Sequence, residues 1–175
     1  MKSFILLALI SFASCAQADI HDRLPTADHV EINRYIGKWY AVTSLPQFFT
    51  RKCLGQTADY AIKDSKTITV LNTCLKKKGK TTTIEGQAVV KNFDTNAELE
   101  VTFNNFFTRL FKVKGEYIIV KLDPDYKTVM VASSDRKSLW IMSRTPNIDE
   151  AVLKDYVALA EELGFDSQKF ITSQF

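Results

Sequence analysis

Between residues 38 and 143, the chain contains eight short segments rich in apolar residues, and in residues 81–91 and 98–103 apolar and polar residues alternate. In residues 98–103, for example, Leu99, Val101 and Phe103 alternate with two glutamates and a threonine. A period of two is typical of β-strands that bury one face. The predicted strands are residues 38–45, 56–62, 67–74, 81–91, 98–103, 116–122, 127–132 and 138–143. So many short strands with tight connections predict an antiparallel, all-β fold.

The hydrophobic period changes only after the eighth predicted strand. Apolar residues within residues 148–163 recur at helical spacing, and Asn147 or Asp149 can cap the start of a helix. Gly164 can end it. We therefore predict an α-helix over residues 149–163.

A last short strand is predicted near residues 169–173. The complete pattern favours an eight-stranded antiparallel up-and-down β-barrel with one C-terminal α-helix packed outside. Eight strands enclose about enough room for one small ligand. A sandwich of the same strands also fits the periodicity.

The first 18 residues have the composition of a secretory signal. Lys2 precedes a short apolar run, and Ala16-Gln17-Ala18 supplies the small residues of a cleavage site. Cleavage there leaves one domain over residues 19–175. Phe12-Ala13-Ser14-Cys15 offers an alternative, because it resembles a bacterial lipobox whose cysteine carries a lipid anchor. We expect an exported protein of the periplasm or outer membrane, or otherwise a secreted protein.

The exported domain retains two cysteines, Cys53 and Cys74. An even number of cysteines in an oxidising compartment favours a disulfide. The predicted turn at residues 63–66 places Cys53 opposite residue 76, and a bulge or an offset register would bring the two sulfur atoms together. A bridge that closes a loop of this length stabilises a protein by about 3 kcal/mol.

The charge balance of the chain is mild, with a formal net charge of +3. This balance does not indicate binding to nucleic acid or to an anionic membrane. Lys76-Lys77-Lys78 is interpreted as a solvated hairpin end. No pattern typical of a metal or organic cofactor site is present in the sequence, and we expect neither.

Tyr35 to Tyr40 combine a glycine and a tryptophan at the head of an apolar strand. Gly37 permits a turn into the strand or the close approach of another segment. Trp39 needs deep burial and a partner for its indole N–H. We interpret Trp39 as the plug of one barrel end, and a core tryptophan with an incidental glycine is the alternative.

These residues belong to a wider set of motifs spread along the chain. The motifs are Gly37-Lys38-Trp39-Tyr40, Thr57-Ala58-Asp59-Tyr60, residues 123–126, residues 138–146 and Gly164-Phe165-Asp166. With them the chain resembles the lipocalins, most of all the bacterial outer-membrane lipocalins and the apolipoprotein-D-like proteins. The resemblance implies that Arg144 lies across Trp39, so that Gly37, Trp39 and Arg144 have structural roles. It also implies a disulfide between Cys53 and Cys74.

The resemblance implies carriage of a small apolar ligand, such as a fatty acid or a lysophospholipid. The candidate ligand-binding residues on the inner face are Ile84, Ala88, Val90, Val101, Phe103, Met130, Trp140 and Met142. Gly86 and Ala88 are small and are expected to leave space. A core packed with side chains is the alternative.

The predicted strand at residues 127–132 has one face towards the helix and one towards the barrel interior, and these faces must be assigned. In residues 127–132, we expect Val129 and Val131 to receive the helix. Thr128, Met130 and Ala132 are then expected to face the barrel interior.

Two predicted loops carry adjacent phenylalanines, which are Phe48, Phe49, Phe106 and Phe107. We interpret them as a lid or docking patch at the cavity mouth, and packing under their own loops is the alternative. Arg109 and Lys112 are candidates to meet a lipid phosphate or carboxylate. Tyr60 and Asn72 are candidates for polar groups inside the barrel, although Asn72 can also serve the backbone of the barrel itself.

The sequence argues against an enzyme. Its two histidines, His21 and His29, lie in the N-terminal arm, and both remaining cysteines are expected to be paired. An envelope-anchored interaction module that uses the loop aromatics is one alternative function. A lipid-modifying enzyme with a reactive thiol is another. We expect a monomer or a weak homodimer that binds no nucleic acid.

Overall fold

The computed structural model describes residues 23–104 and 114–175. Its strands are β1 (Gly37–Ser44), β2 (Gly55–Ile62), β3 (Thr67–Leu75), β4 (Thr81–Val90), β5 (Glu98–Phe103), β6 (Lys114–Leu122), β7 (Thr128–Ala132), β8 (Leu139–Ser143) and β9 (Ile171–Thr172). Two α-helices accompany them, α1 (Ile32–Tyr35) and α2 (Glu150–Glu162).

Strands β1 to β8 form a closed barrel. Each pairs antiparallel with the next along the chain, and β1 also pairs with β8. This closure confirms the up-and-down barrel and excludes the sandwich. The short β9 pairs with β1 as an additional strand.

The ladder register defines two barrel ends. Gly37 at the start of β1 pairs with Tyr60 near the end of β2, so Trp39 lies at the end that holds the β2–β3, β4–β5 and β6–β7 connections. We call this the floor end. The β1–β2, β3–β4 and β7–β8 connections lie at the opposite end, where β5 also ends, and we call this the mouth end.

Helix α2 packs on the outside of the barrel, as predicted. The Asp149 carboxylate caps it by accepting hydrogen bonds from the backbone N–H groups of Ala151 and Val152. Tyr156 and Ala160 are its buried residues, and the Tyr156 hydroxyl donates to the carbonyl oxygen of Thr128 at 3.1 Å.

The predicted faces of β7 were wrong. Val129 and Val131 belong to the hydrophobic cluster inside the barrel, whereas Met130 and Ala132 pack in the outer cluster with α2. All five residues of β7 are buried, because the barrel interior covers one face and the helix covers the other. A strand buried on both faces shows no alternation from which its inner face can be read.

The N-terminal arm, residues 19–33, has a mostly polar composition, but some of its apolar residues are buried. Val30 is fully buried inside the barrel cluster, and its N–H donates to the carbonyl oxygen of Thr95 at 2.7 Å. Leu24 is buried in the outer cluster. Two isolated apolar residues in a polar segment gave no periodic signal.

Candidate functional site

The floor of the barrel is built on Trp39, which is fully buried. Its indole N–H donates to the carbonyl oxygen of Tyr35 at 2.8 Å. The guanidinium carbon of Arg144 lies 3.7 Å from the centroid of the Trp39 ring, in the geometry of a cation–π contact. The structure thus places Arg144 across Trp39.

Arg144 also ties several backbone segments together. Its guanidinium donates to the carbonyl oxygens of Tyr126, Lys38, Arg34 and Tyr35 at 3.1, 3.0, 2.7 and 3.1 Å. Burial lowers the pKa of this side chain below its usual value, although an arginine stays charged at neutral pH. The contacts therefore serve the structure of the floor.

Gly37 fits beside this arginine for two reasons. Its φ of +93° lies in the region that favours glycine. A Cβ atom there would also lie 3.4 Å from the Arg144 Nη1 atom.

Most of the predicted wall residues come together inside the barrel. Ala88, Val90, Val101 and Met142 are buried members of the interior cluster, while Phe103 and Trp140 are half-buried against it. Ile84 is half-buried on the interior face of β4, two residues from Gly86. Met130 is the exception, because it faces α2.

Gly86 does not leave open space as expected. A Cβ atom at this position would lie 2.8 Å from Cδ1 of Phe103 and 2.5 Å from the carbonyl oxygen of Thr102. The ring of Phe103 therefore occupies the volume that the missing side chain vacates, as aromatic residues opposite strand glycines often do.

Three tyrosine hydroxyls meet in the lower part of the barrel. The Tyr117 hydroxyl lies 2.6 Å from that of Tyr35 and 3.2 Å from that of Tyr60. Two contacts use two of the three hydroxyl hydrogens, so one hydrogen has no partner among the described residues. Burial raises the pKa of Tyr60 to about 12 and raises the pKa of Tyr35 and Tyr117 as well, which keeps all three neutral at physiological pH.

Tyr60 was predicted as a polar group inside the barrel, whereas Tyr35 and Tyr117 were not. Tyr117 was detectable, because it lies two residues before the interior residue Ile119 on the same strand. Tyr35 lies in α1, a helix that was not predicted.

Asn72 lies on the interior face of β3, two residues beyond Val70 and opposite Ala58 and Ile84 in the ladders. Its side-chain oxygen is buried and accepts no hydrogen bond from the described residues. The alternative that Asn72 serves the barrel backbone is therefore wrong for this oxygen. A buried polar atom without a partner costs about 1–3 kcal/mol, so a ligand or a water molecule that donates a hydrogen bond to this oxygen would be favoured.

Phe48 and Phe49 lie at the mouth end on a 3-10 turn, Phe48–Thr50. Their side chains are 78% and 62% exposed, and their rings contact only at right angles to each other, with centroids 5.7 Å apart. The alternative that they pack under their own loop is therefore wrong. Phe106, Phe107, Arg109 and Lys112 lie outside the described residues.

The Cys53–Cys74 disulfide forms beside this turn, with Cα atoms 5.2 Å apart. Cys53 precedes β2, and its N–H donates to the carbonyl oxygen of Thr50. The β2–β3 ladder has no bulge, so the bridge joins a turn residue to a strand residue and not two strand residues.

The described residues offer neither a metal site nor a membrane-spanning helix. Within residues 23–104 and 114–175, no three histidine, cysteine, aspartate or glutamate side chains are placed to hold a metal ion. The helices in the same residues are too short or too polar to cross a bilayer.

A barrel of eight strands closed in chain order, with an arginine over its floor tryptophan and one external helix, has the lipocalin fold. The Lipocalin-like domain family matches residues 30–174, and the chain belongs to this family. The predicted resemblance is thereby confirmed.

Two relatives and one solved structure illustrate the relationship. The outer membrane lipoprotein Blc of Vibrio cholerae is 30% identical over 173 residues, which cover 98% of this chain and 96% of that protein. Apolipoprotein D of Bos taurus is 33% identical over 117 residues, which cover 67% and 58% of the two chains. Insecticyanin from Manduca sexta has the same fold, with a TM-score of 0.68, 18% identity, and coverage of 88% of this chain and 85% of its own.

Proposed function

We propose that this protein binds a single-chain lipid in the barrel, with the acyl chain directed to the floor. The observation that carries the proposal is the side-chain oxygen of Asn72, which is buried without a partner on the interior wall, opposite Ala58 and Ile84 in the ladders. An acyl chain that enters such an interior gains about 0.8 kcal/mol per buried CH₂ group.

The interior also excludes charge. On the interior faces of the described strands β2 to β8, alternation places aliphatic and aromatic residues together with uncharged polar ones, and no aspartate, glutamate, lysine or arginine. A charged head group is therefore expected to stay at the mouth end, since burying an unpaired charge is costly.

Asn72 favours a lysophospholipid over a fatty acid. It lies in the half of β3 nearer the mouth, where the glycerol portion of a lysophospholipid would lie if its acyl chain pointed to the floor. The free glycerol hydroxyl has a hydrogen to donate to the Asn72 oxygen. An ionised fatty acid has none, so it would leave that oxygen unpaired.

Two variants test ligand binding in the barrel. Native mass spectrometry with extraction of co-purified lipid should identify a single-chain lipid bound to the wild-type protein. Ile84→Trp adds bulk on the interior face of β4 and should reduce lipid occupancy, whereas Glu85→Trp adds the same bulk on the outer face and should leave it unchanged. Equal occupancy in the two variants, both folded, would contradict the proposal.

A third variant tests the choice of lipid. Asn72→Leu should weaken binding of lysophosphatidylcholine by about 5–10-fold, corresponding to about one hydrogen bond, and leave palmitate binding unchanged or stronger. A parallel loss for both lipids would argue against a hydroxyl donor beside Asn72.

We further propose that the protein is exported to a bacterial envelope and binds its ligand without catalysis. Its relative in Vibrio cholerae is an outer membrane lipoprotein. Both described cysteines are joined in the disulfide, so neither is available as a thiol nucleophile. The mass of the mature N-terminus, lipidated at Cys15 or free at Asp19, tests the attachment.

A further inference from the structure

The mouth end carries an unpaired concentration of positive charge. Six cations lie in the two segments 45–58 and 67–84, neither of which contains an aspartate or a glutamate. They are Arg51, Lys52, Lys76, Lys77, Lys78 and Lys80, which we call the basic cluster. The seven ion pairs of the described residues all involve other side chains.

The net charge of the whole chain is mild although this cluster carries six positive charges. The formal net charge is +3, so the residues outside the six cations sum to −3. The positive charge is therefore concentrated in the basic cluster, and charge concentrated at one end of a protein favours one orientation near a charged surface.

The basic cluster lies on both sides of one groove. Arg51, Lys52, Lys76 and Lys77 line an open groove of about 440 Å³, together with Cys53 and Leu54. The Cys53–Cys74 disulfide and the hydrogen bond from the Leu54 N–H to the Leu75 carbonyl oxygen at 2.7 Å hold the two segments side by side.

The exposed pair of phenylalanines belongs to the same surface. Phe48 and Phe49 are separated from Arg51 and Lys52 only by Thr50 in the β1–β2 connection. Large exposed aromatic residues next to unpaired cations are the combination that binds the interface of an anionic bilayer, because the rings enter the head-group region while the cations meet phosphates.

We propose that the mouth end docks on an anionic lipid surface through Phe48, Phe49 and the basic cluster. The described chain begins at the floor end, where Arg23 pairs with Glu98 at 3.1 Å. Docking by the mouth would use the other end of the barrel from Arg23. In combination with the proposed function, it brings the barrel opening against the bilayer from which a lipid would enter.

A substitution at one cation of the cluster, Lys78, can test docking separately from stability. Lys78 adopts a φ of +62°, a left-handed conformation that lysine tolerates less well than asparagine. Lys78→Asn should leave the stability equal or higher while docking weakens. If Lys78 only supported the turn, its replacement would not be expected to keep or raise stability while it weakened docking.

The test is co-sedimentation with vesicles, using full-length protein with Cys15→Ser so that no acyl anchor contributes. Vesicles of phosphatidylcholine with about 30 mol% phosphatidylglycerol should bind the protein, and binding should fall with salt. Lys76→Gln with Lys77→Gln should lower the partition coefficient about 25-fold, at about fivefold per cation. The control Lys63→Gln with Lys154→Gln changes the net charge equally at exposed sites outside the cluster. It should lower the partition coefficient by less than about threefold.

Phe48→Ser with Phe49→Ser should weaken vesicle binding while leaving binding to heparin unchanged. Equal losses from the cluster and control pairs, unaffected vesicle binding in the phenylalanine variant, or no binding to anionic vesicles would each overturn the proposal. Lipid occupancy of the barrel, measured on the same variants, reports separately on the proposed function.

Discussion

Replacing Arg144 by methionine should destabilise the protein more than any other arginine substitution at the floor end. The variant loses a cation–π contact with Trp39 that contributes about 0.5–2 kcal/mol. It also removes the charged donor from four carbonyl oxygens. Because the side chain is only half-buried, water can replace part of these hydrogen bonds, and we expect a total loss of about 3–5 kcal/mol.

The matched control is Arg34→Met. Arg34 lies over the ring of Tyr126 at 4.0 Å and donates to the Pro124 carbonyl oxygen, but its side chain is 46% exposed. Its removal should cost about 1 kcal/mol or less. Urea unfolding followed by circular dichroism measures both variants, and the Arg144 variant should also melt about 6–20 °C below wild type.

Arg144→Lys then separates charge from geometry. A lysine keeps the positive charge, but its compact ammonium group cannot reach four carbonyl oxygens in different directions. It should recover less than half of the lost stability. Full recovery by lysine, or equal losses for Arg144→Met and Arg34→Met, would refute the view that the guanidinium fork holds the floor together.

Three further predictions follow from the barrel wall. Gly86→Ala should cost about 2–3 kcal/mol in urea unfolding, because its Cβ would lie 2.5 Å from the Thr102 carbonyl oxygen, whereas Gly115→Ala, with its nearest contact at 3.8 Å, should be nearly neutral; equal effects would contradict the close approach. Cys53→Ala with Cys74→Ala should lower the free energy of unfolding by about 3 kcal/mol, and no loss would mean that the bridge adds nothing to stability. The folded pKa of Tyr60 is raised from 10.0 to about 12, so the stability that its neutral form contributes is complete below pH 10 and is lost as the pH rises towards 12; tyrosinate absorbance that develops for all tyrosines near pH 10 without unfolding would refute this.

The sequence predicted the barrel because several of its strands, such as β4 and β5, bury mainly one face. In β4, for example, Ala88 and Val90 are buried and alternate with more exposed neighbours, and the structure has the same period. The helix was predictable for the same reason, since its apolar positions repeat at a different period from those of the strands. Local patterns of this kind do not depend on knowing the tertiary neighbours.

The parts that the sequence did not predict depend on tertiary neighbours. The faces of β7 were assigned wrongly because both are covered, and Gly86 was interpreted as empty space because nothing local shows that Phe103 lies over it. Val30 closes the floor from a segment without periodicity. The basic cluster was not predicted as a unit, since Lys76-Lys77-Lys78 was interpreted as a solvated hairpin end and was not considered together with Arg51 and Lys52.

Left-handed backbone positions at residues other than glycine occur at both ends of the described barrel, at Asn96 and Tyr126 near the floor and at Lys78 and Arg136 near the mouth. Two other departures from ordinary folding rules lie in the mouth half: Asn72 keeps a buried oxygen without a partner, and Phe48 is 78% exposed with only Phe49 against its ring. Phe93 is also exposed at the floor end, but there the ammonium group of Lys66 lies 5.2 Å from its ring centroid.

The floor, in contrast, buries Trp39 under Arg144 and pairs its indole N–H with the carbonyl oxygen of Tyr35. Proteins tend to break local rules where function requires it and to satisfy them elsewhere. From this division we expect the floor to determine stability and the mouth to contact lipid. Substitutions at the floor should therefore change unfolding with little effect on vesicle binding, and substitutions in the basic cluster should do the reverse.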